Sequence, residues 1–220
     1  MQNLYKNTAT ISWLRFVQDL YRWIGLSQSN IGRLWQVPKA EQKIRHPVRK
    51  LPPNDMIESY EHRQLLPGEK MNEISKLFVS QVSHMLRWEN LPGGQAYVRK
   101  RSSNTVTLSL MDWTSDVFIR TTTETNWGKS IWTVAPDLLN DFLQWEATTW
   151  KYVFQLPKFF SQEMSTARNQ LIDAFTTYFG QHGDLRKDTS YFVPTAEAEL
   201  RDIGFDDVNI ARVHMLQHWA

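Results

Sequence analysis

Two histidines near the end of the chain, His214 and His218, are spaced four residues apart. On a helix, side chains at this spacing lie on one face, which is the arrangement of many histidine pairs that ligate zinc. We find no neighbouring carboxylate or third histidine that would complete the ligand set. The sequence therefore predicts a solvated pair, no metal site and no cofactor.

No catalytic constellation is recognisable. The chain has no cysteine, which excludes a thiolate nucleophile and a cysteine-ligated zinc or iron–sulfur site. Nucleophile-elbow, phosphate-loop and metalloprotease motifs are missing. Asp112 and Asp116 flank a predicted turn and are interpreted as turn residues. We predict that the protein is not an enzyme.

A basic run, Arg99, Lys100 and Arg101, follows Tyr97. Basic side chains next to aromatic rings suit a nucleic-acid contact. A solvated strand end explains the same pattern, and no RNA-binding motif accompanies it. Nucleic acid therefore stays an alternative partner, with an RNA-contacting subunit of a mitochondrial ribonucleoprotein such as the ribosome as the matching function.

The charge of the chain is unevenly distributed. The net charge is +2, whereas residues 1–50 alone carry nine Lys and Arg against two Asp and Glu. A basic, acid-poor and amphipathic N-terminus is typical of a mitochondrial targeting segment, which predicts a mitochondrial location. A basic arm that binds a partner is the alternative.

Residues 11–24 repeat apolar side chains at helical spacing and predict an amphipathic helix that ends near Gly25. Trp13, Leu20 and Trp23 widen its apolar face, which suits a groove on a partner protein or, through residues 10–26, peripheral contact with a membrane. Packing on its own domain is the alternative. No stretch approaches the roughly 20 apolar residues of a membrane-spanning helix.

Residues 27–54 contain four prolines and read as an extended basic linker. Lys43, Arg45 and Arg49 are its candidate partner-binding residues. Since residues 1–54 lack the apolar content for a core of their own, we expect a partner surface to order them. Other protein subunits of a large complex are the favoured partners.

The middle of the chain predicts an antiparallel meander between two helices. Residues 71–86 and 164–178 have helical spacing, whereas 105–110, 117–123 and 130–134 are rich in β-branched residues. Residues 196–203 and the segment after Asp206 predict two more helices.

Within this region Ile131-Trp132, Pro136, Trp145 and Trp150-Lys151-Tyr152 resemble the signature of the frataxin family. The resemblance implies an α+β fold, a two-layer sandwich of two helices on an antiparallel sheet with helical extensions at both ends. The implied organisation is an arm at 1–54, a connecting segment at 55–69, a frataxin-like domain at 70–182 and a C-terminal helical extension at 183–220. It also implies burial of Trp132, Trp145 and Trp150, and Trp132 as a candidate partner contact.

Frataxins bind iron and assist iron–sulfur cluster assembly through an acidic ridge on the first helix and strand. The matching segments here offer only Glu69, Glu73 and Glu89, and Arg99 to Arg101 reverse the charge of the strand. Hard iron ions need clustered oxygen ligands, so an iron or cluster-assembly factor is the weaker alternative. The favoured prediction is a non-catalytic accessory subunit of a large, mitochondrial assembly, with the frataxin-like domain as its scaffold.

Overall fold

The part of the chain that the structure describes is mostly α-helical. The computed structural model describes residues 12–37, 51–91 and 97–219, with side chains described up to residue 217. Helix makes up 74% of the structure, in ten α-helices within these ranges. The helices are α1 Trp13–Trp23, α2 Gln28–Trp35, α3 Pro53–Leu65, α4 Glu69–Met85, α5 Leu110–Trp127, α6 Ser130–Val134, α7 Leu138–Val153, α8 Gln162–Gly180, α9 Phe192–Asp202 and α10 Asp207–Trp219.

A single hairpin is the only sheet in the described residues. Its strands, β1 Val98–Arg101 and β2 Val106–Leu108, are antiparallel, and Arg101 pairs with Val106. Strand β2 lies within the predicted strand 105–110, and β1 carries the basic run Arg99 to Arg101. Two strands cannot form the sheet of a frataxin-like sandwich, so the predicted fold class is wrong.

The remaining predicted strands are helical. Residues 117–123 lie inside α5 and residues 130–134 form α6, while Trp145 and Trp150 of the frataxin-like signature lie in α7. In α5 the β-branched side chains face a helical neighbour, α4, against which α5 packs. Thr125 Oγ1 donates to Gln81 Oε1 at 2.8 Å and Thr121 Oγ1 contacts Met85 Sδ at 3.5 Å. Tertiary packing thus overrides the β-propensity of this run.

The chain divides into two compact units, each made of separate segments. The first unit comprises residues 1–56, 141–180 and 197–220, and the second comprises residues 57–140 and 181–196. The sequence analysis predicted consecutive segments instead.

The core of the first unit forms where α8 and α10 pack side by side. Leu171, Phe175 and Tyr178 of α8 and Ile210 of α10 are completely buried. Helix α1 also packs on α10 and on α2. The helices of this unit therefore share one apolar core, to which the N-terminal helices contribute.

Part of the predicted extended linker is a helix. Ser27 caps α2, since its Oγ accepts a hydrogen bond from the Asn30 amide at 3.1 Å. Ile31 and Leu34 of α2 are buried. The remaining linker between residues 38 and 50, with Lys43, Arg45 and Arg49, lies outside the described residues.

In the second unit a buried glutamine joins three segments of the chain. Gln64 Nε2 donates to Asn126 Oδ1 at 3.1 Å, and its Oε1 accepts from the Phe192 amide at 2.8 Å. Gln64 is only 4% exposed, so both polar ends of its side chain are satisfied inside the unit.

A tight turn after α5 needs glycine. Gly128 has φ of 72°, and a Cβ at this position would lie 2.1 Å from Asp188 Oδ1. Asp188 is held there because its Oδ2 accepts from the Lys129 amide at 2.8 Å.

We expect Gly128→Ala to destabilise the protein by about 1–3 kcal/mol, because alanine disfavours positive φ and its methyl group displaces Asp188. Thermal unfolding measures the change. Gly183→Ala is the matched control, since no atom lies within 4 Å of the added Cβ. Equal melting temperatures for the two variants would contradict the expectation.

Candidate binding surface

The turn between α7 and α8 in the first unit presents a cluster of aromatic side chains to solvent. We call residues 150–160 the aromatic turn. Phe154, Phe159 and Phe160 are 73%, 76% and 62% exposed, and Trp150 is 52% exposed. The rings of Phe159 and Phe160 contact each other, with 4.1 Å between their centroids. Large apolar side chains exposed close together mark interaction sites.

Local sequence explains why the chain turns here. Helix α7 ends at Val153, and Gln155 adopts φ of 50°. Pro157 cannot continue a helix because it has no amide hydrogen. A short 3₁₀ segment, Lys158–Phe160, then leads into α8. This path brings Phe154 and the Phe159–Phe160 pair onto one turn.

A lysine clamps the end of the turn. Lys151 Nζ donates to the Phe160 carbonyl oxygen at 3.1 Å and forms an ion pair with Glu163 of α8. The hydrogen bond from Lys151 lowers the pKa of the Glu163 carboxyl. Because Lys151 belongs to α7, the clamp fixes the 3₁₀ segment to the preceding helix.

A buried serine holds the middle of the turn. Ser161 is 1% exposed, and its Oγ lies 3.2 Å from the Leu156 carbonyl oxygen and 3.1 Å from that of Pro157. Gln155 Nε2 donates to the Tyr152 carbonyl oxygen. The turn is therefore a rigid, pre-formed structure, which lowers the entropy lost on binding.

Tyr152 anchors the turn to the core. Its hydroxyl donates to the Leu20 carbonyl oxygen at 2.6 Å, and its ring packs against Trp145 and Trp23 with centroids 5.3 Å and 6.2 Å away. Burial raises the pKa of the Tyr152 hydroxyl well above its usual value of 10.0.

This raised pKa predicts a loss of stability in alkali. In the unfolded chain tyrosine ionises near pH 10, whereas buried Tyr152 stays neutral, so the stabilisation present below about pH 10 is lost as pH rises further. We expect the stability of Tyr152→Phe to fall less steeply than that of the wild type above about pH 10. Urea unfolding across this range measures the difference, and parallel curves for the two proteins would contradict it.

The predicted partner-binding residues of α1 lie in the same unit. Trp13 is 74% exposed, whereas Leu20 and Trp23 are half-buried. Ring contacts run from Trp13 through Phe16 to Trp23, at 5.6 Å and 6.5 Å between centroids. The C-terminal half of α1 thus packs on its own unit, the alternative considered from sequence, and Trp13 alone of the three is freely accessible.

The other predicted contacts lie in the second unit. Trp132 is half-buried in α6, with the Arg120 guanidinium 5.2 Å from its ring centroid. In the hairpin Arg99 pairs with Asp112 at 3.1 Å, and Arg101 donates to the Leu91 carbonyl oxygen. Both arginines of the basic run therefore already have partners within the protein. A nucleic-acid contact at this run stays a prediction.

A cleft of about 130 Å³, lined by both polar and apolar side chains, also lies in the second unit. Lys70 pairs with Glu73 at 2.9 Å, and Lys70 and Arg63 both lie over the Tyr191 ring. Of the charged side chains that line the cleft, Lys70 and Glu73 thus pair with each other, and Asp188 accepts from the Lys129 amide.

Among the described residues, no group of three or more histidine and acidic side chains is arranged to hold a metal. His214 is buried beside the Phe179 ring, with 4.9 Å between ring centroids, so the prediction of a solvated pair is wrong for this residue. The side chain of His218 lies outside the described residues. No helix in the described ranges is long and apolar enough to span a bilayer.

Comparison with family models, with curated proteins and with solved structures finds no match for this chain. The assignment of the aromatic turn as a binding surface therefore depends on its geometry alone. The sequence analysis did not predict this surface. The available signal was the Phe159-Phe160 pair two residues after a helix-breaking proline, where no helix or strand could bury it.

Proposed function

We propose that this chain is a non-catalytic binding protein that attaches to a larger cellular structure through the aromatic turn of its first unit. The main support for this proposal is that Phe154, Phe159 and Phe160 are each at least 62% exposed. They lie on a turn that hydrogen bonds from Lys151 and Ser161 stabilise. Rigid, exposed aromatic side chains contribute large binding free energies for little loss of conformational entropy.

The accessory role is the one predicted from sequence, but the frataxin-like domain is no longer its scaffold. The contact is made by a helix-to-helix turn of an α-helical unit. A mitochondrial location, suggested by the basic N-terminus, remains part of the proposal. A fluorescent fusion at the C-terminus that co-localises with a mitochondrial marker would support it, and a diffuse signal elsewhere would refute it.

Site-specific photo-crosslinking in cells that naturally make the protein tests the binding surface. We expect a photoreactive phenylalanine analogue at position 159 to form covalent adducts on illumination. The same analogue at position 185 is the control, since Leu185 is 61% exposed but lies in the second unit. Adducts from position 185 alone, or from neither position, would refute the proposal.

A further inference from the structure

We propose that Arg168 of α8 and Arg212 of α10 form a binding site for a phosphate group, an inference that goes beyond the proposed function. Both guanidinium groups lie beside the end of α1 in the first unit. Arg168 Nη1 donates to the Trp23 carbonyl oxygen at 3.5 Å, and Arg212 Cζ lies 3.2 Å from where a Cβ on Gly25 would be. Two cationic groups from different helices therefore meet the same short stretch of chain.

Neither arginine forms an ion pair with an acidic side chain of the described residues. Arg168 Nε and Nη2 donate to Asn169 Oδ1 at 3.3 and 3.1 Å. Arg212 Nη1 donates to Asn209 Oδ1 at 3.3 Å. These amide oxygens are neutral and leave both positive charges uncompensated. By contrast, Arg201 of the same unit pairs with two carboxylates, each at 2.8 Å.

The two arginines are also partly withdrawn from water. Both are half-buried, and Arg212 Nε is fully buried with no hydrogen-bond partner among the described residues. Burial lowers the pKa of the Arg168 guanidinium, and the positive charge of Arg212 lowers it further. Buried charges and buried donors are normally paired, so a negatively charged group that accepts hydrogen bonds would stabilise this arrangement.

Capping of α1 accounts for only part of this positive charge. The carbonyl oxygens at a helix C-terminus are equivalent to about half a negative charge, which favours cations nearby. Two guanidinium groups carry about four times as much charge of the opposite sign. Most of the positive charge at the end of α1 is therefore available to a ligand.

A phosphate group matches the charge and the geometry of the pair. Each guanidinium is a planar fork of donors that binds phosphate oxygens two at a time, and two such cations complement a dianion. Arg212 Nη2 makes no hydrogen bond within the described residues, so it can donate to a ligand oxygen. Both arginines keep part of their surface exposed, which lets an anion approach from solvent.

Isothermal titration calorimetry of the full-length protein tests the inference. The probes are inorganic phosphate, glycerol phosphate as a phosphate monoester, and acetate at the same ionic strength. We expect saturable binding of a phosphate probe and much weaker binding of acetate, which carries a single charge. Tighter binding of glycerol phosphate would identify the phosphate of a larger molecule as the ligand, and tighter binding of inorganic phosphate would identify the free ion.

Three variants test whether the arginines make the contact. Arg212→Gln should weaken phosphate binding by at least about tenfold, since a charge-assisted pair of donors is removed. Arg212→Lys keeps the charge without the fork and should restore binding only in part. Arg120→Gln is the matched control, because it removes the same charge from the second unit and should bind phosphate as the wild type does.

Thermal unfolding separates this site from a purely structural role. A bound ligand stabilises the folded state, so phosphate should raise the melting temperatures of the wild type and of Arg120→Gln more than that of Arg212→Gln. Arginines that only cap α1 would give the same phosphate-induced shift in all three proteins. That result, or the absence of saturable binding of both phosphate probes to the wild type, would overturn the inference.

Discussion

We expect a chain that lacks residues 1–37 to lose the folded first unit. The deletion removes Tyr21, Ile24, Leu26, Ile31 and Leu34, each between 1% and 3% exposed. Burial of one such side chain contributes about 1.5–3 kcal/mol, so the five together are of the same order as the whole stability of a domain, about 5–15 kcal/mol. The deletion also removes the carbonyl oxygen of Leu20 that accepts from Tyr152.

Circular dichroism and thermal unfolding measure the outcome, with loss of helical signal and of a cooperative transition as the expected result. A matched pair of substitutions in the full chain controls for truncation. Leu34→Ala should cost about 2–5 kcal/mol, whereas Leu14→Ala, at an exposed position, should stay within about 0.5 kcal/mol. A truncated chain that melts as the full protein does would show that the N-terminal helices are an appendage ordered from outside.

The second large effect distinguishes two tryptophans of one helix. Trp145 is completely buried, whereas Trp150 is 52% exposed. We expect Trp145→Ala to cost about 3–5 kcal/mol and Trp150→Ala less than about 1 kcal/mol.

Urea unfolding of the two variants measures their free energies of unfolding. The comparison also tests whether residues 145–150 are helical. The frataxin resemblance implied that both tryptophans are buried, and the burial predicted for Trp150 is wrong. On a helix, five residues rotate the side chain by about 140°, so Trp145 and Trp150 face different directions, whereas Tyr152 returns to the face of Trp145. Equal losses of stability in the two variants would contradict the helical assignment of α7.

Segments with a regular apolar repeat were predicted from sequence. The helix expected over residues 71–86 corresponds to α4, and the helix over 164–178 corresponds to α8, which ends at Gly180. The amphipathic N-terminal helix corresponds to α1, and Gly25 follows it with φ of 108°. In these segments the side chains with helical spacing are also the ones that pack in the fold, so the apolar period was sufficient to predict the helices.

Segments whose composition favours strands were predicted wrongly. Val117 and Thr121 lie four residues apart and are buried on one face of α5, a spacing that the β-branched composition concealed. The fold class drawn from the frataxin resemblance was wrong for the same reason, because the signature residues Trp132, Trp145 and Trp150 lie in α6 and α7. A tryptophan-rich run specifies burial, while the period of the helix decides which tryptophan is buried.

The aromatic turn could not be found from periodicity, because exposure of Phe154 and Phe159 depends on what the fold leaves uncovered. Sequence does show the proline and the lysines that shape the turn. The clamp between Lys151 and the Phe160 carbonyl, nine residues apart, requires the three-dimensional path of the chain.

Oxidative footprinting of Phe154, Phe159 and Phe160 tests the central claim most directly. Hydroxyl radicals modify side chains in proportion to their accessibility, and the purified full-length protein should be modified strongly at all three positions. In cells that naturally produce the protein, we expect protection of these three side chains, with Leu185 modified equally in both settings. Equal modification of the phenylalanines in cells and in the purified protein would contradict the assignment of the aromatic turn as the binding surface.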